Sequence, residues 1–326
     1  MGEPSTDGLL FEARRVYANF VAPSGRRVTK PIEIRTHPVT GRTCRIAFSR
    51  TEERETGTER LPDPPPERDE TGKCPFCLPQ VAEKTPRIQP EMGLEGRMLE
   101  GSSLLFPNLF PYGSYSAVSL FDDRHYVEIG TATAASYRDS LVNCCNYLAR
   151  VRQHDPQAVY QAITQNHLPA AGGSLIHPHL QINADAIPSN HQRVLLAAAH
   201  RYHRATGGML YSAYLQHERA EGSRYIARIG AWEWLAAFAP EGFYELWAIL
   251  PEATSLATLS SRHCRDLARG ILCAQRYYRS LNRNGYNFGL LVVETPASRL
   301  ELRASMVVRA NYAPWTRSDH SGFEVM

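Results

Sequence analysis

The chain has 326 residues, of which 43% are hydrophobic and 21% charged, and its formal net charge is +3. This length is typical of about two domains, and the composition excludes a disordered or fibrous chain. No apolar run approaches the roughly 20 residues that cross a bilayer, and the first residues show no secretory signal pattern. We therefore expect a cytoplasmic protein that does not associate with membranes.

The charge pattern and the cysteines exclude two further classes. Basic residues do not form a dense stripe with interleaved aromatic residues, so nucleic acid is not an expected partner. The seven cysteines are an odd number in a long chain without a secretory signal. A framework of disulfide bonds is therefore not expected.

The first half of the chain predicts several strands and one long helix. Residues 1–30 have weak periodicity and are predicted to form an N-terminal arm. Apolar residues at helical spacing predict a helix over about 132–153. The predicted strands of this half are 43–48, 103–106 and 115–120 before the helix, and 158–164 and 174–182 after it.

The second half repeats this order of elements. Strands are predicted at 224–229, 233–238 and 244–250, a helix at 256–281, and strands at 287–293 and 302–309. The repetition predicts an α+β fold of two duplicated units, each an antiparallel sheet with a long helix on one face. We predict a division into the arm, a first domain over 31–190 and a second over 191–326.

The segment Asn166–Gln181 carries the clearest chemical signal. His177, His179 and Gln181 alternate, so in the predicted strand they share one face. Pro178 restricts this strand to an edge or irregular position. One histidine could attack phosphorus, or both could bind a metal, and the two interpretations can coexist.

The second signal is Cys74-Pro-Phe-Cys77, which has three interpretations. It could be a redox motif, a chance pair of thiols, or two ligands of a tetrahedral zinc site. A zinc site needs two more ligands, and His125 and His177 are candidates. A closed site of two cysteines and two histidines would be structural and would tie the proline-rich loop 56–73 to the sheet.

Four stretches of this sequence resemble motifs of one known family. They are Arg35–Arg50, Cys74–Cys77, Pro107–Pro111 and Asn166–Gln181. The chain resembles the galactose-1-phosphate uridylyltransferase branch of the histidine-triad superfamily, which also contains nucleotide-sugar phosphorylases. The resemblance covers roughly residues 31–326, strongly to about 190, and implies two histidine-triad-like units in one chain.

The resemblance implies a role for each matching residue. His179 would be the nucleophile that accepts the nucleotidyl group. One structural zinc ion per chain would be held by Cys74, Cys77, His125 and His177. Ser174 and Gln181 would bind phosphate oxygens and Asn166 would support the same pocket. Asn108 would contact the nucleoside, and Arg50 would meet phosphate.

The implied function is nucleotidyl transfer. The enzyme would move a nucleoside monophosphate between a nucleotide sugar and a phosphorylated acceptor through a covalent His179 intermediate. The alternatives are a phosphorylase that uses inorganic phosphate, and a nucleotide-binding protein without turnover. Family members are commonly homodimers, so a homodimer is expected. The strand Leu300–Arg309 has no histidine, so a second metal site of the family is not expected here.

Overall fold

The computed structural model describes residues 8–47, 60–94 and 96–309. Within these ranges the chain forms thirteen strands and five α-helices. The strands are β1 Glu12–Val21, β2 Arg27–Thr36, β3 Thr43–Ala47, β4 Met98–Glu100, β5 Ser103–Pro107, β6 Tyr115–Leu120, β7 Tyr160–His167, β8 His179–Asp185, β9 Tyr225–Ile229, β10 Trp232–Ala236, β11 Phe243–Leu250, β12 Tyr286–Val293 and β13 Leu302–Val308. The helices are α1 Gln80–Lys84, α2 Ala134–His154, α3 Asn190–Thr206, α4 Leu210–Glu221 and α5 Ser261–Ser280.

The strands form two antiparallel sheets. Strands β1, β2 and β3 form a three-stranded sheet, and the other ten form one sheet in the order β4-β5-β6-β8-β7-β12-β13-β11-β10-β9. The predicted α+β class with antiparallel sheets is confirmed. The hairpin of β1 and β2 spans residue 30, where the predicted arm ends, and the large sheet continues from one half of the chain into the other. The division into domains at 30 and 190 remains a proposal.

Most of the elements predicted around the two long helices are present, but one strand was misplaced and several elements were missed. Strand β6 has the predicted bounds, whereas the strand predicted over 174–182 begins only at His179. Helices α3 and α4 follow in the second half, where no element was predicted. Strands β1 and β2 were missed because few of their residues are buried, which leaves little hydrophobic alternation to read.

The large sheet is built from two equivalent halves. Strands β4-β5-β6-β8-β7 are matched from the opposite edge by β9-β10-β11-β13-β12, and β7 and β12 pair antiparallel where the halves meet. The register repeats as well. Leu105 pairs with Ser119 in the first half, and Trp234 pairs with Ala248 in the second. Trp234 follows Leu105 in the chain by the same number of residues as Ala248 follows Ser119. The two halves are therefore related by an approximate two-fold axis.

The helices repeat with the strands. Thr133 and Ser260 cap α2 and α5, and each side chain accepts a hydrogen bond from a backbone N–H in the first turn. Asp139 and Asp266 each lie six residues after the cap, against the turn of the hairpin β4–β5 or β9–β10. Such matching details support the duplication of one structural unit.

The two faces of the large sheet are covered differently. Helices α2 and α5 pack on one face, where Leu180 and Ile182 of β8 join the main apolar core. On the opposite face, a second apolar cluster joins the second half of the sheet to α3, α4 and part of the three-stranded sheet. Among the described residues, a small apolar cluster around Val81 and Phe106 packs on the first half of that face. His179 and Gln181 alternate with Leu180 and Ile182, so they lie on this face.

The contact between α5 and β10 gives a test of the packing. A Cβ atom at Gly270 of α5 would overlap the indole of Trp234, which lies in the main core. We expect Gly270→Ala to lower the free energy of unfolding by about 1–3 kcal/mol, measured by urea denaturation, because the helix must move away from the sheet. Gly72→Ala is the control, since its surroundings are open, and a change within about 0.5 kcal/mol is expected. An equal effect of both substitutions would contradict this packing.

No helix of the described ranges is both long and apolar enough to span a membrane.

Candidate active site and metal centre

His179 is the first residue of β8, which lies between β6 and β7 inside the sheet. Of the two positions predicted for this strand, edge or irregular, the edge position does not apply, whereas Pro178 itself does lie outside regular strand. Pro178 is compatible with a central strand because it lies just before β8, where its carbonyl accepts a hydrogen bond from Phe121 N at 3.2 Å. The proline thus leaves the ladder of β8 intact while it sets the direction in which the chain enters the strand.

The hydrogen bond of His179 defines which ring nitrogen is free. His179 Nδ1 lies 2.7 Å from the carbonyl oxygen of His177, so Nδ1–H donates to that oxygen. Nε2 then carries the lone pair. The residue is only 8% exposed, and burial lowers the pKa of His179 below its usual range. A neutral imidazole with a free Nε2 is the form that can act as a nucleophile.

His177 lies outside β8 and its ring is directed to the two cysteines. The prediction that one strand contains both His177 and His179 is therefore wrong, because β8 begins only at His179. His177 Nδ1 is 3.9 Å from Cys74 Sγ and 3.5 Å from Cys77 Sγ. One histidine thus faces the cysteines with its side chain and holds the other with its carbonyl group.

The four predicted metal ligands are brought together. The ligand atoms of Cys74, Cys77, His125 and His177 all lie within 4.8 Å of one another, and His125 Nδ1 is 3.3 Å from Cys77 Sγ. Tetrahedral zinc with sulfur and nitrogen ligands needs about 3.5 Å between neighbouring ligand atoms. The separations fit such a site, so these side chains could hold a metal ion.

The outer nitrogens of both histidines are fixed by backbone carbonyl groups. His177 Nε2 donates to Asp122 O at 3.3 Å, and His125 Nε2 donates to Glu67 O at 3.1 Å. These hydrogen bonds place the proton on Nε2 in each ring and leave Nδ1 as the ligand atom. Outer partners of this kind are usual for histidines that bind metal.

The backbone around the cysteines does not suit a redox pair. A redox CxxC motif has its first cysteine at the start of a helix. Here Cys74 follows a short 3-10 helix, Thr71–Lys73, and α1 begins only at Gln80. The metal interpretation is therefore favoured over the redox one.

Phe76, between the two cysteines, contacts the candidate nucleophile. Its ring lies 5.4 Å from the His179 ring, centroid to centroid, at an interplanar angle of 83°. The same phenyl ring packs edge-on against Phe106 of β5. The cysteine loop thus supports His179 directly as well as through His177. Phe76 was not predicted as a site residue, although its place within the CxxC motif was a usable signal.

Three amide side chains extend the site across the sheet. Asn166 Nδ2 of β7 donates to Gln181 Oε1 of β8 at 3.2 Å. Asn287 Nδ2 of β12 donates to Asn166 Oδ1 at 2.8 Å. Asn166 and Gln181 were predicted as site residues, whereas Asn287 was not, because only the pairing of β7 with β12 brings it here.

Of the remaining predicted residues, the structure describes Ser174 and Asn108. Ser174 is exposed in the loop before β8. Asn108 N donates to Ser116 O, and Ser116 pairs with Asn183, so Asn108 lies near the far end of β8. Four residues of strand separate Asn183 from His179, or about 13 Å. Arg50 falls outside the described residues.

The second half has a different group at the equivalent position. His179 pairs with Leu120, and Arg303 pairs with Ile249, at positions related by the two-fold axis. The Arg303 guanidinium stacks over the Trp247 ring at 4.2 Å and lies 3.9 Å from Glu245 Oε1. Strand β13 carries no histidine, as the sequence indicated.

The carboxylate of Glu301, the residue just before β13, lies at the start of α4. Its carboxylate accepts hydrogen bonds from the backbone N–H groups of Tyr211 and Ser212 at 2.6 and 2.9 Å. This carboxylate satisfies N–H groups of the first helical turn that have no partner within the helix. Its role here is structural.

Comparison with known proteins identifies the class of fold. No model of a described protein family matches the chain. An uncharacterised protein of Archaeoglobus fulgidus is 29% identical over 286 residues, which cover 87% of this chain and 83% of that protein. Among solved structures, the chain is similar to an ADP-glucose phosphorylase from Arabidopsis thaliana with bound ADP-glucose, with a TM-score of 0.67 and 19% identity over 90% of this chain and 92% of the other.

A uridylyltransferase structure is similar over 90% of this chain and 95% of the other, with a TM-score of 0.60 and 19% identity. The chain therefore has the fold of the uridylyltransferases and nucleotide-sugar phosphorylases. The resemblance to the galactose-1-phosphate uridylyltransferase family, first drawn from four short motifs, is confirmed at the level of the fold.

Proposed function

We propose that the protein is a nucleotidyltransferase that moves a nucleoside monophosphate from a nucleotide sugar to a phosphorylated acceptor through His179. The observation that carries the proposal is the hydrogen bond from His179 Nδ1 to the His177 carbonyl, which leaves Nε2 unprotonated. The amide of Gln181, two residues further on the same strand face, can donate to a phosphoryl oxygen without titrating. The similarity in fold to a uridylyltransferase supports the same chemistry.

In the first step, the Nε2 lone pair of His179 attacks the α-phosphorus of the nucleotide sugar. The N–P bond forms as the bond from phosphorus to the bridging oxygen breaks, and sugar 1-phosphate leaves with that electron pair. Nδ1–H stays on the ring, which gains positive charge. The His177 carbonyl stabilises this charge through the existing hydrogen bond.

In the second step, a phosphate oxygen of the acceptor attacks the same phosphorus. The N–P bond breaks and its electrons return to Nε2, so His179 is restored to its neutral form. Two successive displacements replace one direct reaction between two anions that repel each other. The Gln181 amide stabilises the charge on the phosphoryl oxygens in both steps.

We assign zinc to the cluster of Cys74, Cys77, His125 and His177. Two thiolates and two imidazoles are the donors of closed structural zinc sites, and all four protein ligands leave no position for substrate. When bound, the ion supplies structural rigidity: it fixes the His177 ring. The His177 carbonyl then has a fixed position from which to orient His179.

The other predicted substrate contacts remain part of the proposal. Ser174 is an exposed residue of the otherwise mostly buried loop that precedes β8, where a substrate phosphate could reach it. Asn108, at the far end of the same sheet face, would contact the nucleoside, and Arg50 would contact phosphate. A homodimer is likewise proposed from the family resemblance.

The acceptor distinguishes two forms of this function. A hexose 1-phosphate acceptor would make the protein a uridylyltransferase-like enzyme, and inorganic phosphate would make it a phosphorylase. The TM-score of 0.67 to an ADP-glucose phosphorylase supports the second form as an alternative.

To test the function and identify the acceptor, the protein is incubated with UDP-, ADP- or GDP-glucose and either galactose 1-phosphate or inorganic phosphate. The products are separated by chromatography. We expect a new nucleotide sugar with galactose 1-phosphate, and parallel double-reciprocal plots that indicate a covalent intermediate. Release of nucleoside diphosphate with inorganic phosphate alone would identify the phosphorylase. Nucleotide binding without turnover of any pair would contradict both and indicate a nucleotide-binding protein.

A further inference from the structure

Asn287 is a buried amide from the second half of the chain that reaches the site in the first half. It is 0% exposed, and its backbone pairs with that of Asn166 across β7 and β12. Its Nδ2 donates to Asn166 Oδ1 at 2.8 Å and to the carbonyl oxygen of Ala171 at 2.8 Å. Ala171 belongs to the 3-10 turn Pro169–Ala171 that follows β7.

These hydrogen bonds fix the direction of each amide. The Ala171 carbonyl can only accept, so the group of Asn287 that faces it must be the NH₂ group. The second hydrogen of that group is donated to Asn166, which therefore turns its oxygen to Asn287 and its Nδ2 to Gln181. Gln181 accepts through Oε1 at 3.2 Å, and its own NH₂ group is left to donate to substrate.

The duplicated fold shows that such amides are not needed to pair these strands. The two-fold axis relates Asn166 to Leu291 and Asn287 to Ala162. Leu291 and Ala162 also pair across β12 and β7. Both counterparts are buried in the apolar cluster that covers the second half of the sheet. The same backbone arrangement is thus compatible with apolar side chains, and the amides lie only on the side of His179.

Asn287 is also incompletely satisfied. Among the described residues, its buried Oδ1 has no hydrogen-bond partner. An unsatisfied buried polar group costs about 1–3 kcal/mol of stability.

We infer that Asn287 is a positioning residue that sets the direction of the Gln181 amide, so that a donor and not an acceptor faces the phosphoryl group transferred to His179. The inference rests on the proposed function. It makes the second half of the chain a contributor to the chemistry in the first half, through the β7–β12 pairing.

The test is Asn287→Asp, which keeps the shape of the side chain but removes its donor. Asn166 would then turn its NH₂ group to Asp, present its oxygen to Gln181, and cause Gln181 to turn its own oxygen to the substrate. We expect the single-turnover rate of His179 nucleotidylation, measured with labelled nucleotide sugar by rapid quench, to fall about 10²–10³-fold. The Kd of the nucleotide sugar should change little, because the lost interaction matters most in the transition state.

Two further variants separate positioning from stability. Asn287→Ala removes the donor without reversing the amides, so its rate should lie between those of the wild type and Asn287→Asp. A purely structural role predicts instead that both substitutions lower the Tm and leave the rate per folded molecule unchanged. Asn143→Asp is the matched control: Asn143 is also 0% exposed and its Nδ2 also donates to backbone carbonyl groups, but it lies on α2. It should lower the Tm without changing the rate per folded molecule.

The outcomes are distinct. Equal nucleotidylation rates in the wild type and in both Asn287 variants would overturn the inference and leave the proposed function intact. Failure of the wild-type protein to become labelled would overturn the proposed function and the inference together. If Asn287→Asp does not fold, the rate of Asn287→Ala relative to Asn143→Asp decides between a positioning and a structural role.

Discussion

His179→Ala is expected to lower the rate of nucleotidyl transfer by about 10⁴-fold or more, the loss typical when the nucleophile of a covalent mechanism is removed. The reason is that alanine provides no atom that can form the intermediate. The neighbouring imidazoles of His125 and His177 cannot replace it, because their rings face the cysteines. The measurement is steady-state kinetics with saturating nucleotide sugar and acceptor.

The control for this variant is His37→Ala. His37 is comparably buried, at 4% exposure against 8% for His179, but it lies in the turn between β2 and β3. Its Nδ1 accepts hydrogen bonds from the backbone N–H groups of Val39 and Thr40. The substitution should affect stability and leave the rate per folded molecule unchanged. A His179→Ala protein that retains more than about a tenth of the rate would contradict covalent catalysis by this residue.

Cys74→Ser is expected to have the largest effect on stability. Metal analysis of the wild-type protein should find about one zinc per chain, and the variant should lose most of it because serine supplies no thiolate. Since the metal binds only the folded chain, we expect the free energy of unfolding to fall by about 4 kcal/mol or more. Denaturation in the presence and absence of a chelator measures the change, and chelation should lower the Tm of the wild type but not that of Cys74→Ser.

The matched control is Cys273→Ser, which removes an exposed thiol on α5 that lies outside the cluster. It should keep the metal and the wild-type Tm. Loss of metal should also slow nucleotidylation in Cys74→Ser, because the His177 carbonyl then no longer holds His179 in one orientation. Purified wild-type protein without metal, or equal stability of both variants, would contradict the proposed role of the cluster.

The sequence contained enough information to predict the repeated order of elements and the main chemical groups. Long helices with regular apolar spacing are local signals, and α2 and α5 were found for that reason. The CxxC motif and the His-Pro-His segment are also local, and residue chemistry alone grouped Cys74 and Cys77 with His125 and His177 as candidate ligands.

What the sequence could not give depends on pairing between distant segments. Pro178 suggested an edge strand, but the proline lies one residue before β8, and only the sheet order shows that β8 is central. Asn287 lies in a strand that reads as apolar on both faces, so its role emerges only from the register of β12 against β7. The equivalence of Arg303 with His179 likewise requires the two-fold relation between the halves.

The most direct test of the central claim is the mass of the wild-type protein after brief mixing with a nucleotide sugar and no acceptor, followed by denaturation under basic conditions that preserve phosphoramidates. If His179 is the nucleophile, the chain gains one nucleoside monophosphoryl group. Fragmentation then places this group on the His179 ring, and addition of acceptor removes it. A chain that binds and turns over the nucleotide sugar with no such adduct, or with the adduct on another residue, would contradict the central claim.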